Sequence, residues 1–214
     1  MYLAIEGVIG VGKTSLARLL QPIFGGELLL EVFEENPFLS DFYADRKRYA
    51  FQTQIFFLLS RYRQQREAVP RALAKGNLIA DYTFDKDQLF ARLNLSGDEL
   101  ETYERLHEAL AERIPHPDLT VYLRVDTDTA MRRIAMRDRS YERNMDREYM
   151  DDLNRAYEAY FGGQHDGPVL VIDSNPLDFV ARPEHLAYIA NRIRDTLGIP
   201  PYQPELPLTG GHLA

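Results

Sequence analysis

An α/β fold, with a five-stranded parallel sheet flanked by helices, is what this 214-residue sequence predicts. Short apolar runs alternate with longer stretches of helical periodicity, as in strands joined by helical crossovers. The first run leads directly into Gly7-Val8-Ile9-Gly10-Val11-Gly12-Lys13-Thr14-Ser15, which satisfies G-x-x-x-x-G-K-[ST]. The length suits one substantial α/β domain and is too short for two comfortable ones.

The apolar run over 2–6 is short enough for a buried strand, and Ser15-Leu16-Ala17-Arg18-Leu19-Leu20 has leucines at helical spacing. Strand, glycine loop and helix together make a phosphate site, because backbone N–H groups and the helix N-terminus converge on the anion. Gly7, Gly10, Gly12, Lys13, Thr14 and Ser15 are therefore the expected cradle for a donor nucleotide. Lys13 would reach the β/γ-phosphates, and the Thr14 hydroxyl would ligate Mg²⁺. A glycine turn carrying a chance lysine is the alternative.

Residues 27–33 read as a second strand with acids at its carboxyl end. Pro37 opens a short helical stretch containing Phe38, Leu39, Phe42 and Tyr43. A long helix over 48–69 carries Phe51, Ile55, Leu58, Leu59 and Tyr62 near helical spacing, with Pro70 at its end. The third strand, 77–82, follows Gly76, and a helix runs from about 96 to 113. Pro115-His116-Pro117-Asp118 breaks that helix before a fourth strand over 119–125. Helices fit 128–136 and 147–161, the fifth strand is 168–173, and a last helix covers 183–197. One domain over 1–197 results. The tail over 198–214 has four prolines and two adjacent glycines, and is expected to be irregular and mobile.

The chain has no cysteine, which excludes disulfides, thiolate metal sites and cysteine nucleophiles. A net charge of −8 argues against nucleic acid as the main partner. No run approaches transmembrane length and the chain enters directly into its first strand, so no membrane association and a cytoplasmic location are expected. Of 25 basic residues only Lys13, Lys47, Lys75 and Lys86 are lysine. Arginine forks suit phosphate clamping.

Ligands of parallel sheets bind at the carboxyl ends of the strands, where Glu31, Asp81 and the glycine loop all fall. Phosphoryl transfer to an alcohol needs a base, a metal bridging the donor phosphates, and cations that follow the moving charge. Glu31, or one of Glu34 and Glu35, is a candidate base, and Asp81 a direct or water-mediated Mg²⁺ ligand. Arg133 and Arg137 are four apart on one helix face, and Arg139 lies in a polar segment suited to a lid. A solvated strand-end acid and a water-facing arginine helix are the plainer readings of each alone. Their co-occurrence after a phosphate loop favours function.

Four further segments make the sequence resemble the deoxyribonucleoside kinase family over nearly the whole chain up to the proline-rich tail. They are Glu31-Val32-Phe33-Glu34-Glu35-Asn36-Pro37-Phe38-Leu39, Phe51-Gln52-Thr53-Gln54, Ser60-Arg61 and Arg137-Asp138-Arg139. The resemblance implies a P-loop kinase fold with an arginine-bearing lid at about 133–145, a homodimer, and a place in nucleotide salvage. The implied reaction is Mg²⁺- and ATP-dependent phosphorylation of a deoxynucleoside 5′-hydroxyl, with ATP replaceable by another nucleoside triphosphate. By that resemblance Glu31 is the general base, Gln54 hydrogen-bonds the nucleobase and Arg61 supports that region. Tyr43 and Glu142 bind the 3′-hydroxyl, while Arg133, Arg137 and Arg139 form the phosphate lid. Spacing supports one part independently: Gln54 and Arg61 are seven apart, two turns along one helix face. Gln52, the rival to Gln54, lies about 160° away around the helix.

Three departures stand out. Glu31-Val32 replaces the Glu-Pro often found, and Asp138 stands where the lid more often has glycine between two arginines. Asp81-Tyr82 replaces an acid–arginine pair, so the arginine beside the base is missing. Ala80-Asp81-Tyr82 resembles a bacterial subgroup acting on purine deoxynucleosides, deoxyguanosine kinases in particular. That implies deoxyguanosine first and deoxyadenosine second, with Asp87 near the polar edge of the base; a surface helix position is the alternative for Asp87. Tyr82 is read either as core packing or as a site residue. A nucleoside monophosphate kinase such as a thymidylate kinase is the nearest rival, but Glu31 with two more acids close by is hostile to a phosphorylated acceptor. A regulatory P-loop switch would leave the long helix with its glutamines and tyrosines unexplained.

Overall fold

The structure, a computed structural model, describes residues 1–163 and 167–203. Five strands form one parallel sheet: β1 (Tyr2–Glu6), β2 (Glu27–Leu29), β3 (Leu78–Ala80), β4 (Leu119–Arg124) and β5 (Val169–Asp173). Their order is β2-β3-β1-β4-β5. Parallel neighbours need crossover connections, and the described residues supply eight α-helices. These are α1 (Lys13–Phe24), α2 (Leu39–Ala44), α3 (Arg46–Leu73), α4 (Lys86–Asn94), α5 (Gly97–Ala111), α6 (Thr127–Arg137), α7 (Arg147–Phe161) and α8 (Pro183–Thr196).

β1 lies at the centre, and all five of its residues are buried. Because side chains alternate across a strand, Leu3 and Ile5 join the main core while Tyr2 and Ala4 join a smaller cluster with Val69, Ala72 and Tyr82. Covering both faces is what lets strands this short and apolar persist. Among the described residues no helix is long and apolar enough to cross a membrane.

Several boundaries differ from the sequence expectation. β2 stops at Leu29 rather than continuing to 33, and Phe33–Glu35 form a 3₁₀ turn. Side chains take the next backbone groups out of the ladder: Asp81 Oδ1 accepts from the Glu31 N–H at 2.8 Å, and Gln64 Nε2 donates to the Leu30 carbonyl at 3.0 Å. α3 runs through Pro70 to Leu73. The carbonyl that Pro70 cannot satisfy belongs to Arg66, and both residues are exposed, so water can replace the lost donor. α4 has no counterpart among the expected helices. The start of the tail makes contacts with the domain: the Tyr202 N–H donates to Asn191 Oδ1 at 2.6 Å, and Ile199 and Tyr202 pack on the core. The rest of the tail lies outside the described residues.

Candidate active site

The carboxyl ends of β1, β2 and β3 point to one side of the sheet. The glycine loop follows β1; Glu31 lies two residues beyond β2, and Asp81 directly follows β3. Gly10, with φ +83°, shows why the loop needs glycine: a Cβ there would approach the Ala130 carbonyl oxygen to 2.9 Å and Ile134 Cγ1 to 2.6 Å. Glu6, fully buried at the end of β1, fixes the start of the loop. Its carboxylate accepts from the Gly7 N–H at 3.2 Å, the Thr83 N–H at 2.6 Å, the Thr83 hydroxyl at 3.0 Å and the Tyr157 hydroxyl at 3.3 Å.

Two clefts meet over this loop. The inner cavity is lined by Glu31, Tyr43, Gln54, Arg61, Asp81, Lys86 and Glu142. The outer cleft is lined by Gly12, Ser15, Arg132, Arg133 and Arg182. Gly10, Lys13, Thr14, Arg137 and Arg139 line both. Of the residues expected to meet phosphate, these five lie where the clefts join, Gly12, Ser15 and Arg133 line the outer cleft alone, and Gly7 lines neither.

Glu31 is the most heavily engaged carboxylate in the inner cavity. Oε1 accepts from Arg61 Nε at 2.9 Å and from Arg61 Nη2, and Oε2 accepts from Lys86 Nζ at 2.7 Å. Burial pushes the Glu31 carboxyl up, but Arg61 and Lys86 outweigh it and hold the group well below the usual carboxylate range. Arg61 also pairs through Nη1 with Asp87 and lies 4.4 Å over the Phe57 ring.

Asp87 is therefore found in neither expected place. It is fully buried on α4 and is not among the residues lining the cavity; its ion pair is with Arg61. Its partner Arg61 does line the cavity. Gln54 is buried and lines the cavity, and its Oε1 has no hydrogen-bond partner among the described residues, whereas Gln52 is exposed. Tyr82 is core packing: it is fully buried, and its hydroxyl donates to Gln64 Oε1 at 2.6 Å, on the side chain that holds the Leu30 carbonyl.

Asp81 ties the two sides together. Oδ2 accepts from the Thr14 hydroxyl at 2.5 Å, while Oδ1 holds the Glu31 backbone. A hydroxyl and a carboxylate face to face form an all-oxygen donor set, which suits a hard cation such as Mg²⁺ completed by phosphate oxygens and water. Lys13 Nζ donates to the carbonyls of Gly7 at 2.6 Å and Val8 at 3.1 Å. Burial, reinforced by the Lys86 charge, lowers its pKa to about 8.

Two of the three lid arginines converge. Arg137 donates to Glu142 Oε2 through Nε at 3.1 Å and Nη2 at 2.5 Å; Arg139 Nη1 lies 3.8 Å from Glu142 Oε1. Arg139 stacks 4.0 Å over the Phe33 ring, and Tyr43 stacks on Tyr141 at 5.9 Å. Asp138 adopts φ +48° and pairs with Arg143, at Nε to Oδ1 2.7 Å. Aspartate tolerates this left-handed turn better than most residues. Arg133 departs from the lid reading. Its guanidinium donates to the carbonyls of Val11, Ser174 and Leu177 and to the Ser174 hydroxyl, so it is a strut between the glycine loop and the segment after β5.

Sequence reasoning missed Lys86 and the rings of Phe57 and Phe90, all of which line the inner cavity. Lys86 is one of only four lysines, which is the one signal the sequence offers for it.

Comparison with known proteins finds relatives over nearly the whole chain. The family model described as deoxynucleoside kinase matches residues 3–198. A deoxyguanosine kinase of Bacillus subtilis is 33% identical over 201 residues, covering 92% of this chain and 97% of the relative. A deoxyadenosine/deoxycytidine kinase of the same organism is 29% identical, over 91% of this chain and 92% of the relative. Among solved structures, the deoxyadenosine kinase of M. mycoides with the products dCMP and a flexible dCDP superposes with a TM-score of 0.80. It is 30% identical, and the match covers 91% of this chain and all of that one.

Proposed function

Because the chain belongs to the deoxynucleoside kinase family, we propose that it moves the terminal phosphoryl group of ATP, or another nucleoside triphosphate, onto the 5′-hydroxyl of a purine deoxynucleoside. Deoxyguanosine is the first substrate and deoxyadenosine the second. The observation that carries this reading is the meeting of the two clefts at Lys13, Thr14, Arg137 and Arg139, with ionised Glu31 on the inner side. A nucleoside in the inner cavity and a triphosphate in the outer cleft would share that junction.

Glu31 accepts the proton from O5′ as O5′ attacks the γ-phosphorus. The bond from phosphorus to the β–γ bridging oxygen breaks, and its electron pair leaves on the nucleoside diphosphate. Lys13, Arg137 and Arg139 stand where negative charge develops, in a site shielded enough for charge to count strongly. Thr14 and Asp81 are the residues that would hold Mg²⁺, which when bound would supply positive charge against the donor phosphates. Tyr43 and Glu142 bind the 3′-hydroxyl. Gln54 reads the base, with its unpartnered Oε1 available to an N–H donor. Guanine offers N1–H and N2–H₂ together, adenine only an amino group, and the deoxyguanosine kinase relatives support the same order. A homodimer and a cytoplasmic role in nucleotide salvage complete the proposal.

Coupled ADP release with the four deoxynucleosides, their ribose counterparts and their monophosphates tests it. Deoxyguanosine should give the highest kcat/KM, by about 10- to 100-fold over a base that forfeits one buried hydrogen bond. Thymidine as best substrate would overturn the base assignment, and turnover of monophosphates alone would replace the reaction itself.

A further inference from the structure

The lone pairs of Glu31 are unequally used. A carboxylate oxygen can accept two hydrogen bonds. Oε1 already has both, from Arg61 Nε and Nη2, whereas Oε2 has one, from Lys86 Nζ at 2.7 Å. Among the described residues the open acceptor position is therefore on Oε2, beside the Lys86 ammonium. A hydroxyl giving its proton to Glu31 has to arrive there.

Lys86 has unused capacity as well. An ammonium carries three N–H donors, and the one hydrogen bond of Nζ goes to Glu31. The rings of Tyr82 and Phe90 stand 5.8 and 5.9 Å from Nζ. The side chain is only 5% exposed, yet it lines the inner cavity. A buried ammonium with donors left over is stabilised when a ligand oxygen completes its shell.

We infer that Lys86 is a catalytic residue of the acceptor side: it contacts the attacking 5′-oxygen on Glu31 Oε2 and follows the charge onto the transferred phosphoryl group. The assignment rests on the kinase reading. As the proton passes from O5′ to Oε2, Glu31 becomes neutral and loosens its hold on the ammonium. Lys86 then pairs with the new phosphate monoester, which carries the charge that Glu31 has lost. Lys13 serves the donor from the glycine loop, and Lys86 serves the acceptor from α4. Tyr82, at the strand end, is turned into the core and supplies no charge of its own.

Wild type, Lys86→Met and Lys86→Arg are to be compared in single-turnover phosphorylation of the best deoxynucleoside, with nucleoside affinity measured by calorimetry. Lys86→Met should lose about 10²- to 10³-fold in transfer rate. Its nucleoside Kd should stay within a few-fold of wild type, and Lys86→Arg should recover much of the lost rate. If methionine does not fold at this position, Lys86→Gln supplies the same comparison. A rate within tenfold of wild type in either uncharged variant overturns the assignment. So does a loss that lies wholly in nucleoside affinity, or one that Lys86→Arg leaves unchanged. An active wild type with an unaffected Lys86 variant overturns Lys86 alone; a wild type inactive on every deoxynucleoside overturns the kinase reading and this inference together.

Discussion

The inner and outer clefts meet at the same residues yet handle charge in opposite ways. On the inner side Asp87, Arg61, Glu31 and Lys86 form a continuous buried chain in which each charge has a partner of opposite sign. On the outer side Lys13 rests on backbone carbonyls, the hydrogen bond of Arg132 goes to the Thr129 hydroxyl at 2.7 Å, and exposed Arg182 makes no ion pair among the described residues. Paired buried charges fix geometry before a ligand arrives, because removing either partner strands the other in low dielectric. Cations that lack a direct carboxylate contact, even with Asp178 lining the same cleft, suit a site that the ligand's own phosphates complete. On the proposed assignment the acceptor half is preformed, and the donor half is finished by its substrate.

The sharpest way to separate the halves is to remove the base without changing its shape. Glu31→Gln should lower the single-turnover rate by about 10²- to 10⁴-fold and leave nucleoside affinity nearly intact. A near-normal rate would transfer the role to Glu34 or Glu35.

Stability provides the next contrast. Arg61→Met leaves Glu31 and Asp87 without their shared cation and should lower unfolding free energy by about 3–5 kcal/mol in denaturant titrations. Arg182→Met, on the exposed outer rim, should stay within about 0.5 kcal/mol. Equal losses would erase the distinction between the two halves.

Arg139→Ala probes the junction. With its charge assigned to the phosphoryl group in transit, kcat should fall about 10²-fold while the nucleoside Kd moves little. Unchanged turnover would reduce this arginine to a partner for Glu142. The smallest effect belongs to Asp138→Gly. Glycine removes the penalty of the left-handed turn but adds backbone entropy and loses the exposed pair with Arg143, so the melting temperature should barely change.

Local pattern made much of this visible. The glycine loop, Glu31 and Asp81 were legible because strand ends and a phosphate motif are sequence-local features. Gln54 was separable from Gln52 because helix geometry puts the two on different faces. α4 was not legible: it buries Lys86 and Asp87, charged residues that break the apolar period by which helices are recognised. Their partners, Glu31 and Arg61, lie 55 and 26 residues earlier, beyond the reach of any local rule. Arg133 looks like its neighbours in sequence, and only the carbonyls around it reveal a strut. The early end of β2 is a similar case, since Leu30 and Val32 prolong the apolar run while Asp81 and Gln64 take the backbone away.

The central position of β1 also orders events in time. β1 is synthesised before either strand that flanks it, and its first partner, β3, pairs Tyr2 with Leu78. Its other partner, β4, pairs Leu3 with Leu119. β2 cannot wait on β1 in the meantime, because its pairing is with β3 alone. On the ribosome the central, fully buried strand therefore emerges before either of its partners, and sheet formation begins only with contacts that close long stretches of chain. Such non-local pairings fold slowly and leave strand edges open to aggregation. The glycine loop hangs from β1, so the phosphate cradle takes its shape only as the chain returns, first at β3 and then at β4, to flank the strand that carries it.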